Sequence, residues 1–238
     1  MALDSYVTLT QALLQNPAAP ASLYDPALIK IYVNQARFQL AADSTSIKRI
    51  GSFALTSGSQ GPYAFSSITL TPATGVQGVL NVRTLWYVAG DGQLWFRPRP
   101  WPWFSLYHLN SAAPETGVPA VWSQYTEGEA GSVYIGPVPD VVYTIKADCV
   151  CYPVDLVNDA TVEAIPAPWT VAVPYYAAYL ALLSAQTGAR MKDAEQMFQL
   201  YQAFVQRARA QSTPDILSSQ YPQQAPSASP LAQQGGAG

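Results

Sequence analysis

From about residue 47 to residue 152 the apolar residues come in short runs rich in Val, Ile, Thr, Tyr and Trp, cut by Gly and Pro, while on both sides they return at helical spacing. β-Branched and aromatic side chains suit a pleated, half-buried surface, and Gly and Pro clusters end strands. The middle of the chain therefore predicts antiparallel strands. Seven or eight candidates lie near 47–56, 63–70, 79–88, 93–97, 105–109, 120–125, 131–135 and 141–151, with turns such as Gly90-Asp91-Gly92 between them. The fold class that follows is α+β: a helical bundle body of two N-terminal and two C-terminal helices, with an antiparallel β-sandwich or small barrel inserted. The boundaries expected are 1–45 and 165–211 for the discontinuous body, 46–155 for the insert and 212–238 for an extended C-terminal tail.

The helices have their own punctuation. Asp4 or Ser5 is the expected cap of a first helix whose Tyr6, Leu9, Leu13 and Leu14 fall at helical spacing, and Asn16-Pro17 with Pro20 ends it. Asp25-Pro26 opens a second, because the aspartate accepts from a first-turn N–H and proline loses nothing there; Ile29, Val33, Ala36 and Leu40 mark its buried stripe. A third runs over about 170–187 and stops at Gly188. It is apolar nearly all round, through Val173, Tyr175, Tyr176, Tyr179, Leu180, Leu182 and Leu183, so it needs cover on every side. The last, about 190–211, carries Met191, Ala194, Phe198, Tyr201, Val205 and Ala208 in alternating steps of three and four, a seam of the coiled-coil kind. Met197 and Phe204 widen that stripe, which predicts packing on the 170–187 and 25–41 helices together. Tyr176, Tyr179, Leu183, Phe198, Tyr201 and Phe204 are the expected packing residues.

Only 11% of the 238 residues are charged and 49% are hydrophobic, with 15 Tyr and 6 Trp. That is about half the usual charged fraction. A surface so short of charge predicts burial against other polypeptides, hence a subunit and not a free enzyme. Net charge is -3 and the pI is about 5.0, which argues against a general nucleic-acid binder, since neutralising phosphates takes a clustered basic surface. Residues 48–110 hold Lys48, Arg49, Arg83, Arg97 and Arg99 against Asp91 alone, whereas 111–168 hold Lys146 against Glu115, Glu127, Glu129, Asp140, Asp148, Asp155, Asp159 and Glu163. Either copies meet head to tail, positive on negative, or adjacent strands neutralise one another within the chain. Residues 212–238 carry one charge, Asp215, among Ser, Gln, Pro, Ala and Gly, a composition that orders only on contact; Ile216, Leu217, Tyr221 and Leu231 are its anchors.

Chemistry-bearing patterns are sparse. His108 is the single histidine and Cys149 and Cys151 the two cysteines, too few for a metal cluster or a disulfide framework. The cysteines share one side of a strand with α carbons about 7 Å apart, so they read as reduced core residues. Ser105 and His108 would point to opposite faces of a strand, with no G-x-S-x-G elbow beside them. Glu127 and Glu129 match a glycosidase pair in residue type only, since Thr126-Glu127-Gly128-Glu129 reads as a solvated turn. Asp148, Asp155 and Asp159 lack calcium-loop spacing, and no glycine-rich phosphate loop occurs. No cofactor is expected. The apolar run Trp169–Leu183 contains a proline and falls short of the roughly 20 residues that span a bilayer. Asp4 and the lack of a basic n-region argue against a secretory signal, so synthesis in the cytoplasm is expected. The most unusual segment is Arg97-Pro98-Arg99-Pro100-Trp101-Pro102-Trp103-Phe104, which prolines hold extended as a stiff loop or edge. Its arginines and aromatics are the stuff of interface hot spots, or else Trp101 and Trp103 cap the core; with Trp95 and Trp122 they also suit a sugar-stacking surface, the basis of a rival carbohydrate-binding or carbohydrate-active reading.

The run Val133-Tyr134-Ile135-Gly136-Pro137-Val138-Pro139-Asp140, then Tyr143-Thr144-Ile145, Tyr152-Pro153-Val154-Asp155-Leu156, Ile165-Pro166-Ala167-Pro168-Trp169 and Tyr176-Ala177-Ala178-Tyr179, resembles the head-to-tail adaptor proteins of tailed bacteriophages, as do Tyr32-Val33-Asn34-Gln35-Ala36-Arg37 and Asp193-Ala194. The resemblance spans about residues 25–205. It implies a structural virion protein at the head-tail junction, in a ring of about twelve copies under the portal, that extends the DNA channel. Partners so implied are the portal protein, further copies, and tail tube, nozzle or fibre proteins, with no membrane. The tail residues Ile216, Leu217, Tyr221 and Leu231 then bind the portal, and Arg97, Arg99, Trp101 and Trp103 meet a downstream partner. The long aromatic β region exceeds what minimal connectors carry. A minor virion protein on the outside of the tail is the third reading.

Overall fold

A computed structural model describes residues 1–15, 23–89, 92–111, 114–184 and 190–212. The expected stops at Asn16-Pro17, Pro20 and Gly188, the Gly90-Asp91 turn and the anchors Ile216, Leu217, Tyr221 and Leu231 lie outside those residues.

Four longer helices form where the spacing placed them. Helix α1 spans Leu3–Leu13, but neither Asp4 nor Ser5 caps it. Ala2 holds the cap position, and the free N–H of Asp4 donates to the Asp159 carboxylate at 2.9 Å, so a residue far along the chain satisfies the helix start and sets a negative charge on its positive end. Leu3, Tyr6, Val7 and Thr10 are buried, whereas the expected Leu9 is 43% exposed. Helix α2, Pro26–Ser44, is capped as read: Asp25 accepts from Ala27 N–H at 2.9 Å. Ile29, Val33, Ala36 and Leu40 are fully buried, and so is Arg37 on the same face.

Helix α4, Ala172–Ser184, is preceded by a short 3₁₀ turn over Ala167–Trp169. Val173 and the small Ala172, Ala177, Ala178 and Ala181 are fully buried, the alanines letting neighbouring backbones approach, while Tyr175, Tyr176, Tyr179 and Leu183 are half-buried at its flanks. Helix α5, Met191–Ser212, lies on α4 and α2 together, as its wide stripe required. Ala194, Tyr201, Val205 and Ala208 are buried; Met191, expected in the seam, is 53% exposed at the first turn.

Among the described residues eleven strands form between the helices: β1 Lys48–Ala54, β2 Tyr63–Ala64, β3 Thr69–Thr71, β4 Val76–Ala89, β5 Gly92–Trp95, β6 Arg97–Pro98, β7 Thr116–Gly117, β8 Val121–Tyr125, β9 Ser132–Gly136, β10 Val138–Pro139 and β11 Thr144–Pro153. A five-stranded sheet has the order β3-β1-β11-β4-β5 and a four-stranded sheet the order β2-β9-β8-β6. Strand β11 is buried at alternate positions, Ile145, Ala147 and Cys149, and pairs with β1 from Lys48↔Val150 to Ala54↔Thr144. It pairs with β4 through three register shifts, which bend the long strand. Tyr87 meets Phe96, on the link from β5 to β6, and Tyr143, just before β11; the sheets join at Val82 N–H, which donates to Gln124 Oε1 at 3.0 Å.

Three expectations change. Residues 63–70 are not one strand: β2 belongs to the four-stranded sheet, a 3₁₀ turn buries Phe65, and β3 edges the other sheet. Residues 105–109 are not a strand either. Trp101–Phe104 forms the short helix α3 and Ser105–Leu109 continues it in a wider π turn. Proline at the first turn of a helix costs no hydrogen bond, and Trp101, Phe104 and His108 recur at helical intervals. Finally, β6 on β8 and β10 on β7 pair parallel, against the antiparallel expectation. The hydrophobic core is continuous, from Tyr6, Ile29 and Leu40 through Ile145 and Cys149 to Val133 and Ile135.

Candidate interaction surface

The proline-aromatic segment is built as a braced edge. Arg97 N–H donates to Ala120 O at 2.9 Å and Arg99 N–H to Trp122 O at 2.8 Å, while Pro98 and Pro100, between and after them, have no N–H to offer. An edge without free donors resists pairing with another strand, so its contacts are made by side chains. The chain then turns into α3, where Phe104 is fully buried and anchors the turn. Trp101 stands between Tyr125 and Tyr134 with centroids at 4.6 and 4.7 Å. Trp103 lies under the Arg99 guanidinium at 4.9 Å and beside Tyr107 at 5.0 Å. Trp101 thus covers the four-stranded sheet, while half-buried Trp103 packs between Arg99, Tyr107 and His108.

His108 stacks on Phe104 at 4.9 Å and fills the space beside Gly136, where a Cβ would meet its Nδ1 at 2.9 Å. Burial lowers its pKa, against the raising influence of Glu115, so it is neutral at neutral pH. Ser105 sits one turn before it on the same wide turn, not across a strand, and no hydrogen bond joins the two among the described residues.

Around this turn the surface is apolar. Leu106 is 61% exposed and Tyr107 59%; on the β4–β5 hairpin Val88, Leu94 and Trp95 are 63, 49 and 57% exposed. Trp95 stacks on Trp86 across β4 and β5. Trp122, expected as a sugar platform, is 4% exposed on the core side of β8 and cannot stack on a ligand. Glu127 and Glu129 are exposed on the β8–β9 turn.

The helical packing residues come together within the chain. Tyr176 meets Tyr201 at 4.7 Å, Tyr179 meets Phe198 at 4.9 Å, and Phe204 stacks on Tyr175. Tyr201 OH donates to Asp43 Oδ2 at 2.7 Å; burial first, then Asp43, raises its pKa. Arg209 Nε donates to the Asp43 carbonyl, and a cleft of about 380 Å³ opens over Asp43, Tyr176 and Tyr201.

What sequence reasoning missed is a buried ion pair. Arg37 Nη2 and Nε donate to the two oxygens of Glu163 at 2.8 and 2.9 Å, and Nη1 donates to Val154 O and Asn34 Oδ1. Tyr6 OH and Ile165 N–H complete the carboxylate, while Asn34 exchanges hydrogen bonds with both backbone groups of Leu156. Burial alone would raise Glu163; Arg37, Ile165 N–H and Tyr6 outweigh it and hold its pKa below the ordinary value. The network fastens segment 154–165, which joins β11 to α4, onto α1 and α2. An arginine on an apolar stripe with a tyrosine upstream was its one signal. Of the uneven charges, Arg83 and Asp148 neutralise each other between β4 and β11 at 3.1 Å, while Arg97 and Arg99 make no ion pair among the described residues. Cys149 and Cys151 are free and buried, as expected.

An α+β subunit with these unshielded apolar and basic surfaces is made for contact with other polypeptides. The SU10 adaptor protein family matches residues 1–227, and the chain belongs to it. It is a bacteriophage structural adaptor, a virion protein of the class that works with portal and tail components, in line with the resemblance seen in the sequence. No curated protein matches the chain. Among the described residues no helix is long and apolar enough to cross a membrane.

Proposed function

We propose that this adaptor assembles as a ring of about twelve copies beneath the portal, extends the DNA channel there and docks tail tube, nozzle or fibre proteins below. The observation that carries the reading is the family match over residues 1–227, which takes in the helices, the β-rich stretch and part of the C-terminal segment together. The body, 1–45 and 165–211, forms the ring wall, held by Tyr176, Tyr179, Leu183, Phe198, Tyr201 and Phe204. The β region, 46–155, faces downstream partners with Arg97, Arg99, Trp101 and Trp103. Residues 212–238 clamp the portal through Ile216, Leu217, Tyr221 and Leu231. The protein works in the virion neck by contact and not by catalysis, is assembled in the host cytoplasm, and meets DNA only as it passes through the channel.

Size-exclusion chromatography with light scattering tests this on the full chain mixed with portal. The expected result is a complex carrying a full ring of adaptors, and a chain ending at Ser212 that no longer binds. A shortened chain that binds portal as well as the full one removes the clamp.

A further inference from the structure

Among the described residues the chain crosses between the two larger sheets four times, and two of those crossings run from edge to edge. Over 63–71 it passes from β2, at one end of the four-stranded sheet, to β3, at one end of the five-stranded sheet; over 92–98 it passes from β5 to β6, the opposite ends of the same two sheets. The β5–β6 edge is basic and aromatic, with Leu94, Trp95, Arg97 and Arg99 exposed. Beside the β2–β3 crossing lies a groove of about 490 Å³ lined by Gln77, Val79 and Glu129 and by Phe65 and Tyr152, which are only 3 and 5% exposed. Glu129 accepts from Tyr152 OH at 3.4 Å and is otherwise open to solvent, with Glu127 exposed next to it.

We propose that the β5–β6 edge of one copy seats on the β8–β9 turn of the next, beside the Glu129 groove, so that Arg97 and Arg99 pair with Glu127 and Glu129. Guanidinium, unlike ammonium, forks onto a carboxylate through two N–H groups, and the exposed Glu127 and Glu129 of one turn offer two such acceptors. Two different, complementary patches at opposite ends of the sheets make a heterologous contact, the kind that repeats around a ring. The occupant is a second copy because two exposed arginines and two exposed glutamates, none of them in an ion pair among the described residues, are both on this chain and match in sign and number. The inference deepens the ring reading and rests on it. It moves Arg97 and Arg99 from the downstream surface to the neighbour and leaves Trp101, Trp103 and the α3 turn, with Leu106 and Tyr107 at its surface, to the downstream partner.

Charge reversal tests it on the full chain reconstituted with portal, counting copies per portal by light scattering. Arg97→Glu/Arg99→Glu and Glu127→Arg/Glu129→Arg each set like charges across the contact, so each is expected to weaken copy-to-copy association at least about 100-fold and leave incomplete rings. The four reversals combined restore the opposite signs and the full ring, a rescue that a folding defect would not give. All sites are exposed, and circular dichroism is expected to match the parent. Either double reversal filling the ring like the parent, or the combined variant failing to while its circular dichroism is unchanged, overturns the proposal alone. A parent chain that binds portal as scattered copies takes down the ring reading as well.

Discussion

Glu163→Gln removes one charge from a pair in which the Arg37 side chain is fully buried and that of Glu163 is 8% exposed. The amide still accepts one hydrogen bond, but the guanidinium keeps its charge without a counter-ion, in a site whose other acceptors are Asn34 Oδ1 and Val154 O. Breaking a buried pair on one side costs about 3–5 kcal/mol. For a chain of this size that lowers Tm by about 6–20 °C. Urea unfolding followed by circular dichroism measures it directly. The pH dependence supplies a second check. The folded pKa of Glu163 lies below its ordinary 4.5, so its contribution to stability is complete above that value and is lost as pH falls through the folded pKa. The Gln variant therefore loses less stability on acidification than the parent. Replacing both partners, Arg37→Met with Glu163→Leu, is expected to cost less than Glu163→Gln alone, because no uncompensated charge remains. A single-variant loss under about 1 kcal/mol, or an unchanged acid slope, refutes the view that this pair fastens the 154–165 segment.

Gly136→Ala drives a methyl into His108 and is expected to cost about 1–3 kcal/mol, part of which His108→Ala restores; strictly additive losses in thermal melts would contradict the contact. Tyr201→Phe leaves the Asp43 carboxylate short of a donor, for a loss of about 1.5–3 kcal/mol in denaturant unfolding, and an unaltered midpoint would show the bond contributes nothing. Burial raises the Cys149 thiol and pushes Cys151 up to about 12, so a thiol reagent at pH 8 should label neither in the folded chain and both in denaturant. Rapid labelling of the native protein would mean that β11 opens.

Local signals determined the helices and the β-rich middle, because spacing, caps and turn residues act over a few positions. Asp25-Pro26 marked the start of α2, Ile29 to Leu40 its buried face, and the stripe of α5 its two partners. The same locality explains the errors. A proline run that reads as an extended edge also suits a first helical turn, and only Phe104 finding a fully buried seat decided that 101–109 would coil. The charges escaped for a like reason. Nothing near Arg37 or Asp4 names Glu163 or Asp159 as partner, since those pairings exist only once segment 154–165 has folded back over α1 and α2. Sequence determined which residues shun water and at what period. Tertiary structure alone decided which strands share a sheet, which edges stay open, and which acid meets which base, because these depend on distances between residues remote in the chain.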